Sequence, residues 1–359
     1  MPNNKKESGL GPGKQQNHLT HETALVGLVS QIKELLTNAR RAVARDIDEY
    51  IIRTNWEIGR VIVEQEQDGK IKAQYGDKLL TVLSKELTRE LGRGFSRSNI
   101  ANMRLFYLTY PIVQTLSGQL SWSHYCELIS IKDPDARSFY EHETSNANWS
   151  VRELQRQIET SLFERLLLSS GKKNKEKVLE LARKGTELNK PEDILKKPFV
   201  FEFLGNRENK PILERELEYR LIRHIEDFLL ELGRGFMFVG SQQRMNIGKN
   251  NYYVDMVFYN KILKAYILID LKRGEMKAEY AGQMNQYLNY YKTEVNEDTD
   301  NPPIGIILCK GVNDIEAEYA LGGISNQVFA SSYVYYIPDK QALIDEVRSV
   351  LEEDDANAD

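Results

Sequence analysis

Two aspartates occupy corresponding positions in a pair of neighbouring strand-like segments. Asp255 lies in the segment YYVDMVFY, and Asp270 lies in the segment AYILIDLK. If residues 261–264 form a loop, Asn260 pairs with Ala265, and the two carboxylates lie directly opposite, with about 5 Å between their Cβ atoms. A bulge or a loop of odd length would break that register. Two carboxylates this close repel each other unless a cation lies between them, and oxygen ligands suit Mg²⁺ or Mn²⁺.

Lys272 adds a cation on the face that carries Asp270, because side chains alternate along a strand. An ammonium there can orient or help deprotonate a metal-bound water and stabilise charge on a phosphoryl oxygen. The backbone carbonyl of Leu271 is a candidate third metal ligand. The alternative is an Asp–Lys pair that only closes a strand end, since (Asp or Glu)-x-Lys occurs three more times in the chain. We favour the metal site because only this copy ends a buried strand beside a second Asp-bearing strand.

A mixed α/β domain must position these residues. Past Phe199 the pattern predicts a helix over 211–232, followed by strands with short turns between them. Further helices are predicted over 277–292, near 313–321 and at the end of the chain. The predicted strands cover residues 236–244, 252–259, 265–272, 304–309 and 332–337.

The chain before this domain is predicted to be helical, because no stretch alternates with period two. Gly92 ends a helix predicted over 77–91, and Ser96 caps the next helix. This arrangement has the size of a helix-turn-helix, so we expect polar residues near its turn to contact nucleic acid. These residues are Arg93, Arg97, Asn99 and Arg104. The alternative is a turn that serves only for packing.

Length and composition indicate two domains. The 359 residues carry a formal net charge of -5, and the two cysteines lie far apart, which excludes a disulfide scaffold and a structural zinc module. The expected parts are a disordered tail (1–19), a helical N-terminal domain (20–170), a linker (171–199), an α/β domain (200–349) and an acidic tail (350–359). No signal peptide or membrane-spanning run is found, so we expect a cytoplasmic protein without membrane contact.

Basic residues are concentrated around the two aspartates. Residues 234–292 hold nine Lys or Arg and four acidic residues, inside a chain whose net charge is -5. A positive zone around carboxylates that hold a metal is what binding of a polyanion requires. The basic residues expected to contact nucleic acid are Arg244, Lys249, Arg273 and Lys277. The alternative is an ordinary solvated surface.

These segments resemble a known family. Residues 233–291, which include YYVDMVFYNKILKAYILIDLK, resemble the C-terminal nuclease domain of the YhcG-like family, within the PD-(D/E)XK nuclease superfamily. GRGFSRSNIANMRLFYLTYP and LSWSHYCELI resemble the helical domain of the same family. The resemblance implies an α/β multidomain protein, with an all-α N-terminal domain followed by a restriction-endonuclease-like mixed β-sheet flanked by helices. Val254 replaces the superfamily's Pro and Asp270 stands where Glu is commoner, but neither departure removes a ligand.

The resemblance also implies roles for individual residues. By position, Asp255 and Asp270 would bind the metal, and Lys272 would be catalytic. The superfamily often adds a Glu from the preceding helix, and helical periodicity favours Glu218 because it lines up with the core-facing side. Glu214 is the second choice.

Gln283 and Tyr287 resemble the Gln-x-x-x-Tyr motif that follows the Lys in RecB-type nucleases. Their i, i+4 spacing places both side chains on one helical face, where they would join the catalytic site. The alternative is a tyrosine-rich face that serves for packing.

The function we expect is Mg²⁺- or Mn²⁺-dependent hydrolysis of phosphodiester bonds in DNA, with the helical domain aiding DNA binding or assembly. One alternative is a non-cleaving DNA-binding or assembly subunit with a relic nuclease fold. Another is a protein-interaction module that forms a homodimer. A partner from a restriction or defence system is a further option that the resemblance permits.

Overall fold

The structure is a computed structural model that describes residues 12–67, 76–112, 119–169, 175–205, 212–322 and 327–357. The chain divides into two compact units, Met1–Ile129 and Ser130–Asp359. This division falls earlier than the boundary at residue 170 that the composition indicated. The helices between these two positions belong to the unit that holds the sheet.

The first unit is helical. Its helices are α1 (Pro12–Gln67), α2 (Gly76–Leu91), α3 (Arg97–Thr109) and α4 (Trp122–Leu128). The hydroxyl of Ser96 accepts a hydrogen bond from the Asn99 backbone N–H at 3.2 Å, which confirms the predicted N-cap of α3. Ile100 is fully buried in the cluster that joins α3 to α1 and α2.

The second unit begins with helices α5 (Pro134–Ala147), α6 (Val151–Glu159), α7 (Leu162–Ser169) and α8 (Lys175–Lys184). Helix α8 lies inside the segment that we expected to be a linker. Leu181 and Ala182 are buried, and the Ser138 hydroxyl of α5 donates a hydrogen bond to the Ala182 carbonyl at 2.6 Å. This segment therefore packs as part of the second unit, because its short amphipathic helix has an apolar face to bury.

A six-stranded mixed sheet forms the centre of the second unit, within its described residues. The strands are β1 (Phe199–Val200), β2 (Phe236–Ile247), β3 (Asn250–Asn260), β4 (Ala265–Leu271), β5 (Ile304–Cys309) and β6 (Val328–Val334), in the spatial order β1-β6-β5-β4-β3-β2. The pairs β2–β3 and β3–β4 are antiparallel. The pairs β4–β5, β5–β6 and β6–β1 are parallel.

Helices cover both faces of this sheet. They are α9 (Glu214–Arg223), α10 (Ile225–Leu232), α11 (Ala278–Tyr290) and α12 (Asp314–Leu321). The last helix, α13 (Lys340–Asn357), packs against α7. One apolar cluster joins the sheet to α9 and α10 through residues such as Leu221 and Phe228. A second cluster joins it to α11 through Met284 and Tyr287. Strand β4 is buried along nearly its whole length, as its apolar sequence predicted.

Several element boundaries differ from the sequence-based expectation. Strand β6 covers Val328–Val334 and not 332–337, because the segment from Val328 to Ser332 pairs in parallel with β5. The helix expected over 211–232 is divided at His224. Residues 12–19 lie in α1 and residues 350–357 lie in α13, although both were expected to be tails. The remainder of those tails, 1–11 and 358–359, lies outside the described residues.

None of the helices in the described part of the chain combines the length and the apolar content needed to cross a bilayer.

Candidate active site

The β3–β4 hairpin has the register that the sequence predicted. Its pairs run from Asn260↔Ala265 to Met256↔Ile269, so residues 261–264 form the connecting loop. The next position on each strand is an aspartate. Asp255 is held there by its Oδ2 atom, which accepts a hydrogen bond from the Leu271 backbone N–H at 2.8 Å. The two carboxylates thus lie at the ends of adjacent strands.

Asp270 is buried, with 3% of its surface exposed. Its Oδ2 atom forms an ion pair with the Lys272 ammonium at 2.7 Å, and no donor in the described part of the chain makes a well-angled hydrogen bond to this buried oxygen. Burial and then the charge of Asp255 raise the pKa of Asp270 to about 7, against the opposing effect of Lys272. One ammonium therefore compensates this carboxylate pair incompletely, as expected where a further cation binds.

Lys272 is anchored by its backbone as well as by charge. Its N–H donates to the Leu308 carbonyl at 2.8 Å, and its carbonyl accepts from the Tyr333 hydroxyl at 3.1 Å. The ammonium lies 3.8 Å from Glu214 Oε1 and 5.1 Å from the centre of the Tyr280 ring. Burial lowers the pKa of Lys272, but the carboxylates around it outweigh burial and the net pKa is raised. The side chain is consequently an ammonium suited to stabilising negative charge.

Glu218 and Asp255 share one hydrogen-bond donor. Gln242 Nε2 donates to Glu218 Oε2 at 2.8 Å and to Asp255 Oδ1 at 3.2 Å. Burial and the Asp255 charge raise the pKa of Glu218. Periodicity thus placed Glu218 on the side of α9 that faces the carboxylates, and Glu214 reaches the same site through Lys272.

Sequence reasoning missed Gln242. This residue lies on β2 after an irregularity between Phe238 and Gly240, and its φ of 47° is in the left-handed region. Such a conformation costs about 1 kcal/mol or more for a residue with a side chain, and it often marks a functional position. The run Ser-Gln-Gln carries no signal that would distinguish this glutamine, because its partners lie on α9 and β3.

If the carboxylates hold the divalent metal that the sequence predicts, replacement of Gln242 by Ala should lower the rate of nucleic-acid cleavage by ~10–100-fold, which is typical for the loss of a partner that orients a metal ligand. The amide restrains two carboxylates that otherwise repel each other. Cleavage rates measured over a range of Mg²⁺ concentrations would test this. We expect more Mg²⁺ to be required by the variant, whereas an unchanged metal requirement and rate would contradict the role. Gln341→Ala, which removes an exposed amide from α13, is the matched control.

Gln283 and Tyr287 share one face of α11, as the i, i+4 spacing predicted. The Gln283 amide donates a hydrogen bond to the Tyr287 hydroxyl. Burial raises the pKa of Tyr287, the hydrogen bond with Gln283 opposes this rise, and the charge of Asp270 adds to it. The ring also packs in the cluster below the sheet, with its centre 6.4 Å from that of Tyr252. The pair therefore combines packing with closeness to the carboxylates.

The basic residues predicted to contact nucleic acid in this unit are exposed. Arg244 Nε donates to Asn251 Oδ1 across the β2–β3 hairpin at 3.0 Å. Lys249 lies at the hairpin turn, and Lys277 precedes α11 with its ammonium 3.7 Å from Glu279 Oε1. Burial raises the pKa of Glu214, and the charges of Lys272 and then Arg273 oppose this rise, so Arg273 lies near the site. These cations lie on β2, at the β2–β3 turn and in the segment between β4 and α11.

The residues predicted in the helical unit have a different character. Asn99 accepts from Trp122 Nε1 at 2.8 Å and donates to the Gly94 carbonyl at 2.6 Å, so its amide helps to hold α3 in place. Arg104 Nε contacts both Glu66 carboxylate oxygens, the nearer at 2.9 Å. Arg93 and Arg97 are exposed on either side of the turn. Asn99 and Arg104 therefore have structural roles within the unit.

The donor set suits a hard divalent cation with several bound waters. No three His, Cys, Asp or Glu side chains among the described residues come together as a metal-binding group. The residues that fit a metal are Asp255 and Asp270, with the Leu271 carbonyl beside them. Mg²⁺ is commonly held by one or two carboxylates and keeps several waters, and the incompletely compensated Asp270 oxygen agrees with such a ligand.

A mixed sheet flanked by helices, with two aspartates and a lysine at the ends of adjacent strands, defines a protein of the PD-(D/E)XK nuclease class. The family model described as "YhcG PDDEXK nuclease domain" matches residues 192–351, and the model "DUF1016 N-terminal domain" matches residues 31–165. The chain is 40% identical over 357 residues to "Putative nuclease YhcG" of Escherichia coli (strain K12), covering 90% of this chain and 94% of that protein. The chain therefore belongs to the YhcG family.

Among solved structures, the chain is similar to a repair endonuclease from Pyrococcus abyssi. The match has 15% sequence identity and a TM-score of 0.25, and it covers 36% of this chain and 49% of that chain.

Proposed function

We propose that this protein is a Mg²⁺- or Mn²⁺-dependent deoxyribonuclease whose active site is built on Asp255, Asp270 and Lys272. The observation that carries the proposal is the buried Asp270 carboxylate, which lies beside a second aspartate and is paired with the Lys272 ammonium at 2.7 Å. Membership of a nuclease family supports hydrolysis of phosphodiester bonds. The basic residues around the site support a polyanionic substrate.

Each residue has a proposed role. Asp255, Asp270 and the Leu271 carbonyl would hold a divalent metal, and a metal bound there would supply an activated water and neutralise charge on the phosphoryl group. Lys272, as an ammonium, orients the attacking water and stabilises a phosphoryl oxygen. Glu218 positions Asp255 through Gln242.

Gln283 and Tyr287 are proposed to act as a hydrogen-bonded pair at the α11 side of the site. We further propose a cytoplasmic protein whose helical unit aids DNA binding or assembly. Nucleic-acid contacts by the exposed Arg93 and Arg97, a homodimer and a restriction or defence partner remain predictions.

Incubation of the purified protein with supercoiled, linear and single-stranded DNA, and with RNA, tests the proposal. Each substrate is supplied with Mg²⁺, with Mn²⁺ or with EDTA. We expect cleavage of DNA in both metals and none in EDTA, because the carboxylates require a cation to activate water. Cleavage in EDTA, or binding without cleavage in every metal, would overturn the proposal. The second result would instead favour a non-cleaving subunit.

A further inference from the structure

A polar groove lies between the end of the β2–β3 hairpin and the outer side of α11. Its volume is about 720 Å³, which is within the ~300–1,000 Å³ of ordinary ligand sites. Amide side chains dominate its polar lining: Asn246, Asn285, Gln286 and Asn289. Tyr290 adds an aromatic ring, and Gly248 and Gly282 leave two places on the walls without side chains.

The chemistry of this lining suits nucleobases. An amide presents a donor and an acceptor together, which matches the edge of a base, and a tyrosine ring offers a surface for stacking. Glu294 is the acidic residue in the lining, so phosphate groups would not be favoured inside the groove. Each wall of the groove also has an exposed lysine beside it: Lys249 is next to Gly248, and Lys292 is next to Thr293. Base contacts inside and phosphate contacts at the rim are therefore both available.

The shape of the groove selects the form of the nucleic acid. Reading a duplex through its major groove requires a protruding helix or ribbon, whereas this surface is concave. A concave, amide-lined surface with an aromatic ring accepts bases that have left the stack, as in single strands, loops and flaps.

The groove is connected to the candidate active site by two elements. Strand β2 carries Gln242 in the site and Asn246 in the groove, and four residues along a strand span about 13 Å. On α11, Gln286 precedes Tyr287 in sequence, and Tyr290 lies about one helical turn after Tyr287. At ~3.4 Å per stacked nucleotide, and more when the strand is extended, the groove lies about two to four nucleotides from the site.

We infer that this amide-lined groove binds unpaired bases of the substrate about two to four nucleotides from the cleaved bond, so that single-stranded or locally unpaired nucleic acid is the preferred substrate. This inference rests on the proposed function for the position of cleavage. Binding itself can be measured without cleavage.

Binding is tested in the Asp270→Asn chain, by fluorescence anisotropy with a labelled single strand and with the same sequence as a duplex. We expect the parent chain to prefer the single strand. Adding Asn285→Ala and Gln286→Ala together should weaken single-strand binding by ~5-fold or more, while duplex binding stays unchanged. Asn289→Ala, at a more exposed position, gives a second variant in case the double variant folds poorly. Gln341→Ala is the matched control and should change neither value. Preference for the duplex, or groove variants that bind like the parent, would overturn the inference.

Cleavage is tested with wild-type protein on strands that carry an abasic site at successive positions. We expect the rate to fall when the abasic site lies about two to four nucleotides from the cut, and we expect this dependence to disappear in the groove variants. Cleavage with no such dependence would contradict base binding by the groove and would leave the proposed nuclease function intact. If the groove variants lose single-strand binding and the wild-type protein cleaves nothing in any metal, the result would support base binding by the groove and contradict the proposed nuclease function.

Discussion

Replacement of Asp270 by Asn is expected to reduce cleavage of DNA by more than ~100-fold while the second unit stays folded. Loss of a residue that only orients a metal ligand costs ~10–100-fold, so loss of a direct ligand should cost more. Asn has nearly the same size as Asp, so packing at the end of β4 is retained. The change removes the negative charge that would hold the cation beside Asp255.

The measurement is the single-turnover cleavage rate in saturating Mg²⁺ and in Mn²⁺, with circular dichroism and thermal unfolding to verify the fold. Asp227→Asn is the matched control, because it makes the same chemical change on an exposed carboxylate of α10. We expect the control to cleave like wild type. An Asp270→Asn chain that cleaves at the wild-type rate would show that the reaction takes place elsewhere.

Replacement of Glu231 by Gln is expected to destabilise the second unit by about 3–5 kcal/mol, the usual cost of leaving a buried ion-pair partner uncompensated. Glu231 and Arg165 are both completely buried, and their closest oxygen and nitrogen lie 2.6 Å apart. Glu231 also accepts from Arg156 at 3.3 Å and from the Val200 N–H at 3.0 Å. Its backbone carbonyl accepts from the buried Lys196 ammonium. A neutral amide would leave these cations without their central anion.

This contribution has a defined pH dependence. Burial opposes ionisation of Glu231, but Arg165, Lys196 and Arg156 outweigh burial and lower its pKa to about 2. A carboxylate whose pKa is lower in the folded state stabilises the fold fully above its unfolded pKa, and the stabilisation is lost as pH falls through the folded value. The stability difference between wild type and Glu231→Gln should therefore be constant near neutral pH and shrink as pH falls from 4.5 toward about 2.

Urea unfolding followed by circular dichroism gives this difference at each pH. Glu216→Gln is the matched control, because Glu216 forms an exposed ion pair with Arg220 within α9. Exposed pairs of this kind contribute about 0.3–0.5 kcal/mol, so the control should be nearly neutral. A Glu231→Gln chain as stable as the control would mean that the buried cations find other compensation.

The Glu231 network also explains why the second unit begins before the sheet. Arg156 lies on α6 and Arg165 on α7, whereas Glu231 lies at the end of α10. A chain starting at residue 200 would lack both arginines and leave Glu231 buried without its partners. We therefore regard helices α5 to α8 as part of the folding unit that carries the candidate active site.

Local features of this protein were determined by the sequence alone. The Ser96 cap depends on residues within one turn, and the Gln283–Tyr287 contact depends on helical spacing. The β3–β4 register depends on a short loop and on side-chain alternation, which brought Asp255 and Asp270 to the same end of the hairpin. In each case the interacting residues are close along the chain, so a pattern in the sequence carries the geometry.

Only the tertiary structure decided which distant side chains complete the site and the core. Gln242 joins Glu218 to Asp255 across elements separated by 24 and 13 positions, and Arg165 meets Glu231 across 66 positions. No local pattern marks these partners, because their contacts arise from the packing of helices on the sheet. The same holds for the groove, whose walls come from a hairpin and a helix. Such contacts depend on which distant segments are buried against each other. A single sequence shows its composition and its hydrophobic periodicity, but it does not show which segments pack together.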